Sequence, residues 1–317
     1  MSLPSGFSQS CEVLRSISPA QDILGETPLW CDRTQTLFWL DIDGRKLQHL
    51  DPISGQTEVY SFDCRYAGSL ALTSDPDTVL IGLDLGLHLF NLKTRQLRQL
   101  CQVEPKNLDN RLNDGRCDAA GRFWVGTMDN QLSRPNGAFY RVEPSGRVSR
   151  IDGDVIVSNS IGFSPANDRI YFSDTRRYLT WQYDLDPLSG RVGTRTVFVD
   201  HTPTLSRPDG ICVDSQGHVW NAIFAEGRVV RYSPEGVAVQ EIALPVSNPT
   251  CVCLGGPELK TLYITTARKF LDAQTLDREP WSGSVLAIDV DVPGRTEHRF
   301  GMEAADLASL GFRSQHV

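Results

Sequence analysis

No apolar run in this 317-residue sequence approaches the length a helix needs to cross a bilayer, which excludes a helical membrane span. Basic clusters are missing too. The 31 Lys and Arg are outnumbered by 39 Asp and Glu, and at a net charge of −8 neither nucleic acid nor an anionic membrane is an expected partner. Past the first ten residues there is no low-complexity run, charge block or linker-like stretch. A single domain over residues 1–317 is therefore expected, with its ordered core at about 11–293. The opening MSLPSGFSQS has neither the basic end nor the apolar run of a secretory signal, so a cytoplasmic location is expected. No two of the eight cysteines have C-x-x-C spacing, and Cys117, Cys212, Cys251 and Cys253 sit in strand-like patterns, so reduced core thiols are expected. The six histidines (49, 88, 201, 218, 298 and 316) share no repeat position, which argues against a histidine-dependent mechanism.

A helical period is also absent, and a repeat stands in its place. GETPLWCD (25–32), AGSLALTS (67–74), LNDGRCD (112–118), SNSIGFSP (158–165), PDGICVD (208–214) and NPTCVCLG (248–255) are variants of one short apolar-alternating strand. Each precedes a second strand: TLFWLD (36–41), TVLIGLD (78–84), RFWVGTMD (122–129), RIYFSDT (169–175), HVWNAIF (218–224) and TLYITTA (261–267). With Gly25, Gly68, Asn113, Asn159, Asp209 and Pro249 as markers, the separations are 43, 45, 46, 50 and 40 residues. A period of that size with several strands per unit predicts an all-β, six-bladed β-propeller whose blades are four-stranded antiparallel sheets. The 26 Gly and 18 Pro suit its many turns. The sixth repeat has a third strand, GSVLAIDV (283–290), but no fourth, whereas CEVLRSIS (11–18) is a strand with no partner of its own. The N-terminal segment is expected to close the ring by pairing on the outer edge of blade six, covering an otherwise open edge. The tail after Pro293 is polar and carries no pattern. Trp30, Trp39, Trp124, Trp181 and Trp220 lie in or beside strands and read as packing between blades.

The repeat superposes Glu26, Asn113, Asn159 and Asp209 at the start of their blades' first strands, Glu26 to within one residue. In a propeller those strand ends surround the central channel, so four oxygen-bearing side chains converge. Taken singly, Asp209-Gly210 and Asn113-Asp114-Gly115 read as turn formers, Glu26 as a loop charge and Asn159 as a cap for backbone groups. Their shared register favours a site. Glu26, Asn159 and Asp209 are hard oxygen donors, suited to calcium, magnesium or manganese before zinc. Two carboxylates would balance a divalent ion and leave a position open for a substrate oxygen.

The residues GETPLW (25–30), RLNDGRCDAAGRFWVGTMD (111–129), SNSIGFSP, RPDGICVD (207–214) and EGRVVRY (226–232) resemble the gluconolactonase/regucalcin family, also called the senescence marker protein family, in order and spacing along nearly the whole chain. The resemblance implies a six-bladed propeller that binds one divalent cation in its channel and hydrolyses sugar lactones. Calcium is the first candidate ion; zinc, manganese, magnesium and iron(II) are the others. The family's metal ligands fall on Glu26, Asn159 and Asp209, and its substrate-contacting Arg and Asn on Arg111 and Asn113. Where the family often has Gly after the metal-binding Asn, this chain has Ser160. Where animal members carry a substrate-contacting Glu, counting from Met128 reaches Gln131, with Asp129 as a possible stand-in.

The mechanism so implied has the cation polarise the lactone carbonyl and stabilise the developing oxyanion. Asp209 takes the proton from the attacking water, unless the cation acidifies that water far enough by itself. Arg111 and Asn113 hold substrate hydroxyls or the ring oxygen, and Arg111 could equally serve the carboxylate product or a fold-stabilising ion pair. The expected partner is a small-molecule sugar lactone and the expected state a monomer. Loops 129–137 and 268–282, above the channel, are expected to select the sugar. The alternatives are esterase or phosphotriesterase chemistry on the same metal, or a non-catalytic calcium-binding propeller.

Overall fold

Each of the six repeats folds into one antiparallel sheet of four strands, and the sheets pack side by side around a channel. The computed structural model describes residues 13–18 and 21–302. The inner strands, nearest the channel, are Gly25–Cys31, Ala67–Leu72, Asn110–Cys117, Ser158–Phe163, Arg207–Val213 and Pro249–Gly255, one for each of blades one to six. Burial falls outward. The inner strand Gly25–Cys31 is buried throughout, whereas in the outer strand of the same blade, Thr57–Ser61, only Tyr60 is buried. The Asn113-Asp114-Gly115 stretch lies within an inner strand and is not a turn.

Blade six takes its outer strand from the other end of the chain. Arg15 pairs with Ala287 and Ser16 with Leu286 on the edge of Val285–Asp289, so the ring closes as the sequence predicts. Of the segment 11–18, Cys11 and Glu12 lie outside the described residues. Among the described residues the one helix is Ala273–Arg278, between the second and third strands of blade six, capped by the Asp272 side chain accepting from the Thr275 N–H. None is long and apolar enough to cross a membrane.

The core lies between blades. One cluster joins Trp124 and Phe139 of blade three to Ile161, Phe163, Phe172 and Trp181 of blade four. Trp39, Trp124 and Trp220, each in a second strand, are essentially inaccessible, and their indole N–H groups donate to Asp22, Asp118 and Asp214. They are packing residues with a satisfied polar end, as the sequence suggests. All described cysteines are free thiols.

The inner strands share a local irregularity that matters for function. The antiparallel register breaks between Glu26 and Leu29, Leu112 and Gly115, Asn159 and Gly162, and Pro208 and Ile211. A bulge of this kind re-aims side chains and twists the strand. Directly after two of the candidate ligands the backbone turns left-handed, at Thr27 (φ 49°) and Ser160 (φ 58°). That conformation favours glycine, the residue that the resemblance often implies at the Ser160 position. Here the Ser160 hydroxyl donates to the Asp209 carbonyl oxygen and ties blade four to blade five.

At the opposite end of the channel, residues 294–302 run across the hairpins of the whole ring. Gly294 N–H donates to Leu259 O, Ser215 N–H to Pro293 O and the Arg295 guanidinium to Ser164 O. Further on, Phe300 N–H donates to Leu72 O and Gly301 N–H to Gly121 O, and Arg299 pairs with Asp32. The strap thereby touches every blade. Its anchor is Glu297, 2.5 Å from Arg116, both side chains nearly buried. Removing one partner of such a pair strands a buried charge, at a cost of about 3–5 kcal/mol. Glu297→Ala should therefore lower the unfolding free energy by that amount, read as a lower urea midpoint at unchanged m-value, whereas the double change Arg116→Met, Glu297→Leu should recover most of the loss.

Candidate functional site

The bulged strand starts deliver four side chains to one end of the channel. Glu26, Asn113, Asn159 and Asp209 are each 4–6 % exposed. They border a cavity of about 310 Å³, also lined by Arg111, Met128, Thr175, Arg176, Arg207, Lys269 and Phe270. That volume lies in the range of small-molecule sites.

A hydrogen-bond chain runs round the cavity wall across three blades. Arg111 donates from Nη1 to the Asn113 Oδ1 and, at 3.0 Å, to Leu112 O. The Asn113 amide donates to Asn159 Oδ1 at 2.7 Å and to Ser158 O at 2.6 Å. Asn159 Nδ2 donates to the Thr175 hydroxyl at 2.9 Å, which in turn donates to Pro208 O at 2.7 Å. These bonds fix both amides with their carbonyl oxygens oriented, and Tyr66 lies under the Arg111 guanidinium, 5.6 Å from ring centroid to Cζ. Burial pulls Arg111 below its ordinary value, against the pull of Asp43 and Glu26.

The carboxyls tell most about what the site holds. Glu26 and Asp209 stand close enough to act on each other's ionisation and are shut away from water. Burial, then the neighbouring Asp114, pushes Glu26 from 4.5 to about 8. Burial, then Glu26 and Asp114, drives Asp209 well above the usual carboxylate range. Asp114, at the next position below, is raised by its burial against the pull of Arg116. Three carboxyls this close in a desolvated place must retain protons or gain a cation. Two carboxylates and an oriented amide oxygen therefore fit a hard divalent cation. Among the described residues no three His, Cys, Asp or Glu side chains form a ligand cluster, so the set differs from a zinc site of the Cys/His kind.

Asp129 and Gln131 do not line the cavity. Gln131 is exposed in the turn after the strand. Asp129 is fully buried, and its carboxylate accepts from the Ser133 and Arg134 N–H groups and pairs with the Arg134 guanidinium at 2.7 Å. Burial opposes its ionisation, but these bonds outweigh it and hold the carboxyl well below the usual range. The physical reason lies in the repeat: Asp129 ends a second strand as Asp41 and Asp174 do, with Asp84 directly after one, and those too spend their carboxylates on backbone N–H groups.

The structure adds lining residues that the repeat does not mark. Leu132 and Phe270, from the two loops expected to select the sugar, both adopt left-handed φ, 57° and 67°. Strain in bulky residues concentrates at functional sites. Phe270 is 70 % exposed and meets Phe224 edge-on, 6.4 Å between ring centroids. Arg207 stands within the quoted RPDGICVD motif, directly before the Pro-Asp-Gly, and that adjacency to Asp209 is the one signal that could have found it.

Residues 24–268 match the family model described as SMP-30/Gluconolactonase/LRE-like region. A 6-deoxy-6-sulfogluconolactonase of Pseudomonas putida is 37% identical over 297 residues, covering 91% of this chain and 99% of that protein. An L-arabinolactonase of Azospirillum brasilense is 36% identical, over 90% of this chain and 94% of its own. Among solved structures, a calcium-binding protein, regucalcin, from Agrobacterium tumefaciens superposes with a TM-score of 0.88 at 32% identity, covering 92% of this chain and 98% of that one. With the family model covering most of the propeller and relatives of this identity covering nearly all of it, the chain belongs to the SMP-30/gluconolactonase/LRE-like family.

Proposed function

We propose that this protein hydrolyses a sugar lactone to the aldonic acid with the help of one divalent cation held by Glu26, Asn159 and Asp209. The observation that carries the reading is the buried Glu26–Asp209 carboxyl pair, with Asn159 beside it, opening into a cavity of about 310 Å³. Relatives named for lactonase activity at 36–37% identity support the reaction class. The hard-oxygen donor set supports calcium as the ion, as does the likeness to a protein called calcium-binding.

When bound, such an ion supplies Lewis-acid polarisation of the lactone carbonyl and charge for the developing oxyanion. The chain's own groups do the rest. Arg111, held by Asn113 and Tyr66, presents donors to substrate hydroxyls or the ring oxygen and fixes the ring over the carboxyls. Asn113 holds the Asn159 carbonyl oxygen in place. Asp209 accepts the proton of the attacking water at its carboxylate. As the ring C–O bond breaks, that proton passes to the departing ring oxygen. Phe224 and Phe270 give the cavity an apolar wall for the C–H face of the sugar and restrict water.

Acid release from a panel of aldonolactones, measured on chelator-treated protein with each divalent ion returned in turn, tests the assignment. Turnover should reappear with the ion. Asp209→Asn should lower kcat/KM by about 10²–10⁴-fold at unchanged circular dichroism. A folded, ion-binding protein with no turnover above the spontaneous rate would reduce it to a calcium-binding propeller.

The carboxyl pair also predicts how the ion stabilises the fold. A carboxyl raised from 4.5 to about 8 lends stability that is full below 4.5 and lost as the pH rises through 8. Ion binding requires the ionised form. The increase in Tm on adding calcium should thus be larger at pH 8 than at pH 6, on the order of 4 °C at hundredfold excess over Kd. In Glu26→Gln both the increment and its pH dependence should shrink, read by scanning calorimetry.

A further inference from the structure

The charge of the cavity runs against that of the molecule. The chain carries a net −8, yet four cations, Arg111, Arg176, Arg207 and Lys269, line the cavity against two carboxylates. The two carboxylates belong to the proposed cation site, and a divalent ion there would neutralise both. Two of the four cations are already committed. Arg111 is tied into the amide chain, and Lys269 pairs with Asp43 at 2.7 Å.

Arg176 and Arg207 are not. Arg176 is exposed and donates from Nε to Leu132 O at 3.0 Å, with no carboxylate in ion-pair reach among the described residues. Arg207 is half-buried and has no side-chain hydrogen bond or ion pair among them. The nearest acid in sequence to Arg176, Asp174, is already used: it accepts from the Ile156 and Val157 N–H groups and from the Arg176 N–H, and pairs with Arg177 at 3.2 Å. The two guanidiniums stand on adjacent blades. Arg176 directly follows Thr175, which carries the hydrogen-bond chain to Pro208 O, and Arg207 directly precedes Pro208. An unpaired, half-buried guanidinium at the wall of a cavity is a donor fork without an acceptor, and its planar geometry matches carboxylate, sulfonate and phosphate oxygens. A neutral lactone would leave both forks unused.

We infer that the preferred lactone carries a second, anionic group at the end of the sugar remote from the lactone carbonyl, and that Arg207 and Arg176 bind it. This inference rests on the lactonase reading and narrows its substrate class. Arg207 opens the inner strand of blade five two residues ahead of Asp209, and Arg176 lies two residues past the end of the second strand of blade four, so along the chain both stand outward of the proposed ligands, towards the mouth of the cavity.

The test compares kcat/KM of the metal-loaded, full-length protein on a neutral hexonolactone with its 6-carboxylate, 6-sulfonate and 6-phosphate counterparts, at 20 and 200 mM salt. At least one anionic lactone should be preferred by about tenfold or more, with the preference shrinking at high salt. The three arms identify which anion fits. Arg207→Gln and Arg176→Gln should each bring the anionic-to-neutral ratio towards one, and Arg207→Lys should retain more of it than Arg207→Gln. Equal kcat/KM for neutral and anionic lactones in the unaltered protein would overturn the inference while leaving the lactonase reading intact, and so would a ratio unmoved in both Gln variants. Calorimetric binding of the matching aldonates separates the other case. Tighter binding of the anionic aldonate, lost in Arg207→Gln, with no turnover of any lactone, would keep the anion site and sink the lactonase reading.

Discussion

The close approach of six inner strands around one axis is the constraint on which the rest of this molecule depends. Where neighbouring inner strands meet there is no room for a side chain on both. A Cβ on Gly68 of blade two would collide with the Leu112 carbonyl oxygen of blade three, and one on Gly210 of blade five would collide with Cys251 of blade six. Strands packed this tightly cannot also aim polar groups at the axis in regular register. The bulges at Glu26, Asn113, Asn159 and Asp209 solve that conflict locally, and the left-handed residues after Glu26 and Asn159 are the conformational cost. The site is thus a product of how the ring closes on itself.

The same crowding removes water, and removal of water sets the electrostatics. Glu26, Asp209 and Asp114 repel one another in a medium that cannot screen them, and the nearby guanidiniums are themselves divided. Arg116, below, is shared between this group and Glu297 of the strap, while Arg111, above, is tied to Asn113. The imbalance left at the centre is what makes a divalent cation the fitting occupant, and it also sharpens the contrast with the cationic wall above it.

The part of this arrangement that follows the repeat was legible in the sequence. Blade number, strand order and closure by the N-terminal segment are written in spacing, and the four channel residues announced themselves by sharing a register. Residues contributed by single loops have no such register to share. Lys269 and Phe270 could be placed only as part of a loop, and Arg176 and Arg207 look like ordinary surface arginines until the blades bring them together. Asp129 shows the opposite error: its resemblance to a substrate contact outweighed its membership in the series Asp41, Asp84, Asp129 and Asp174, whose carboxylates hold backbone. The strap lacked any strand pattern because it crosses the ring by single backbone and side-chain bonds to six separate hairpins, with no more than one isolated bridge, between Thr73 and Phe300.

The two ends of the ring have a consequence for how the chain acquires its shape. Arg15 and Ser16 wait for Leu286 and Ala287, and the Thr250 hydroxyl donates to Gly25 O across 225 positions of sequence. During synthesis the first five blades can stack in order, each on the one before, but the contacts that join first to last form only once residues 250 to 287 have been made. Until then the exposed flanks of blades one and five are apolar surfaces without a neighbour. Ring completion, a step of very high contact order, is accordingly where folding should be slowest and the nascent chain most prone to associate with other copies of itself.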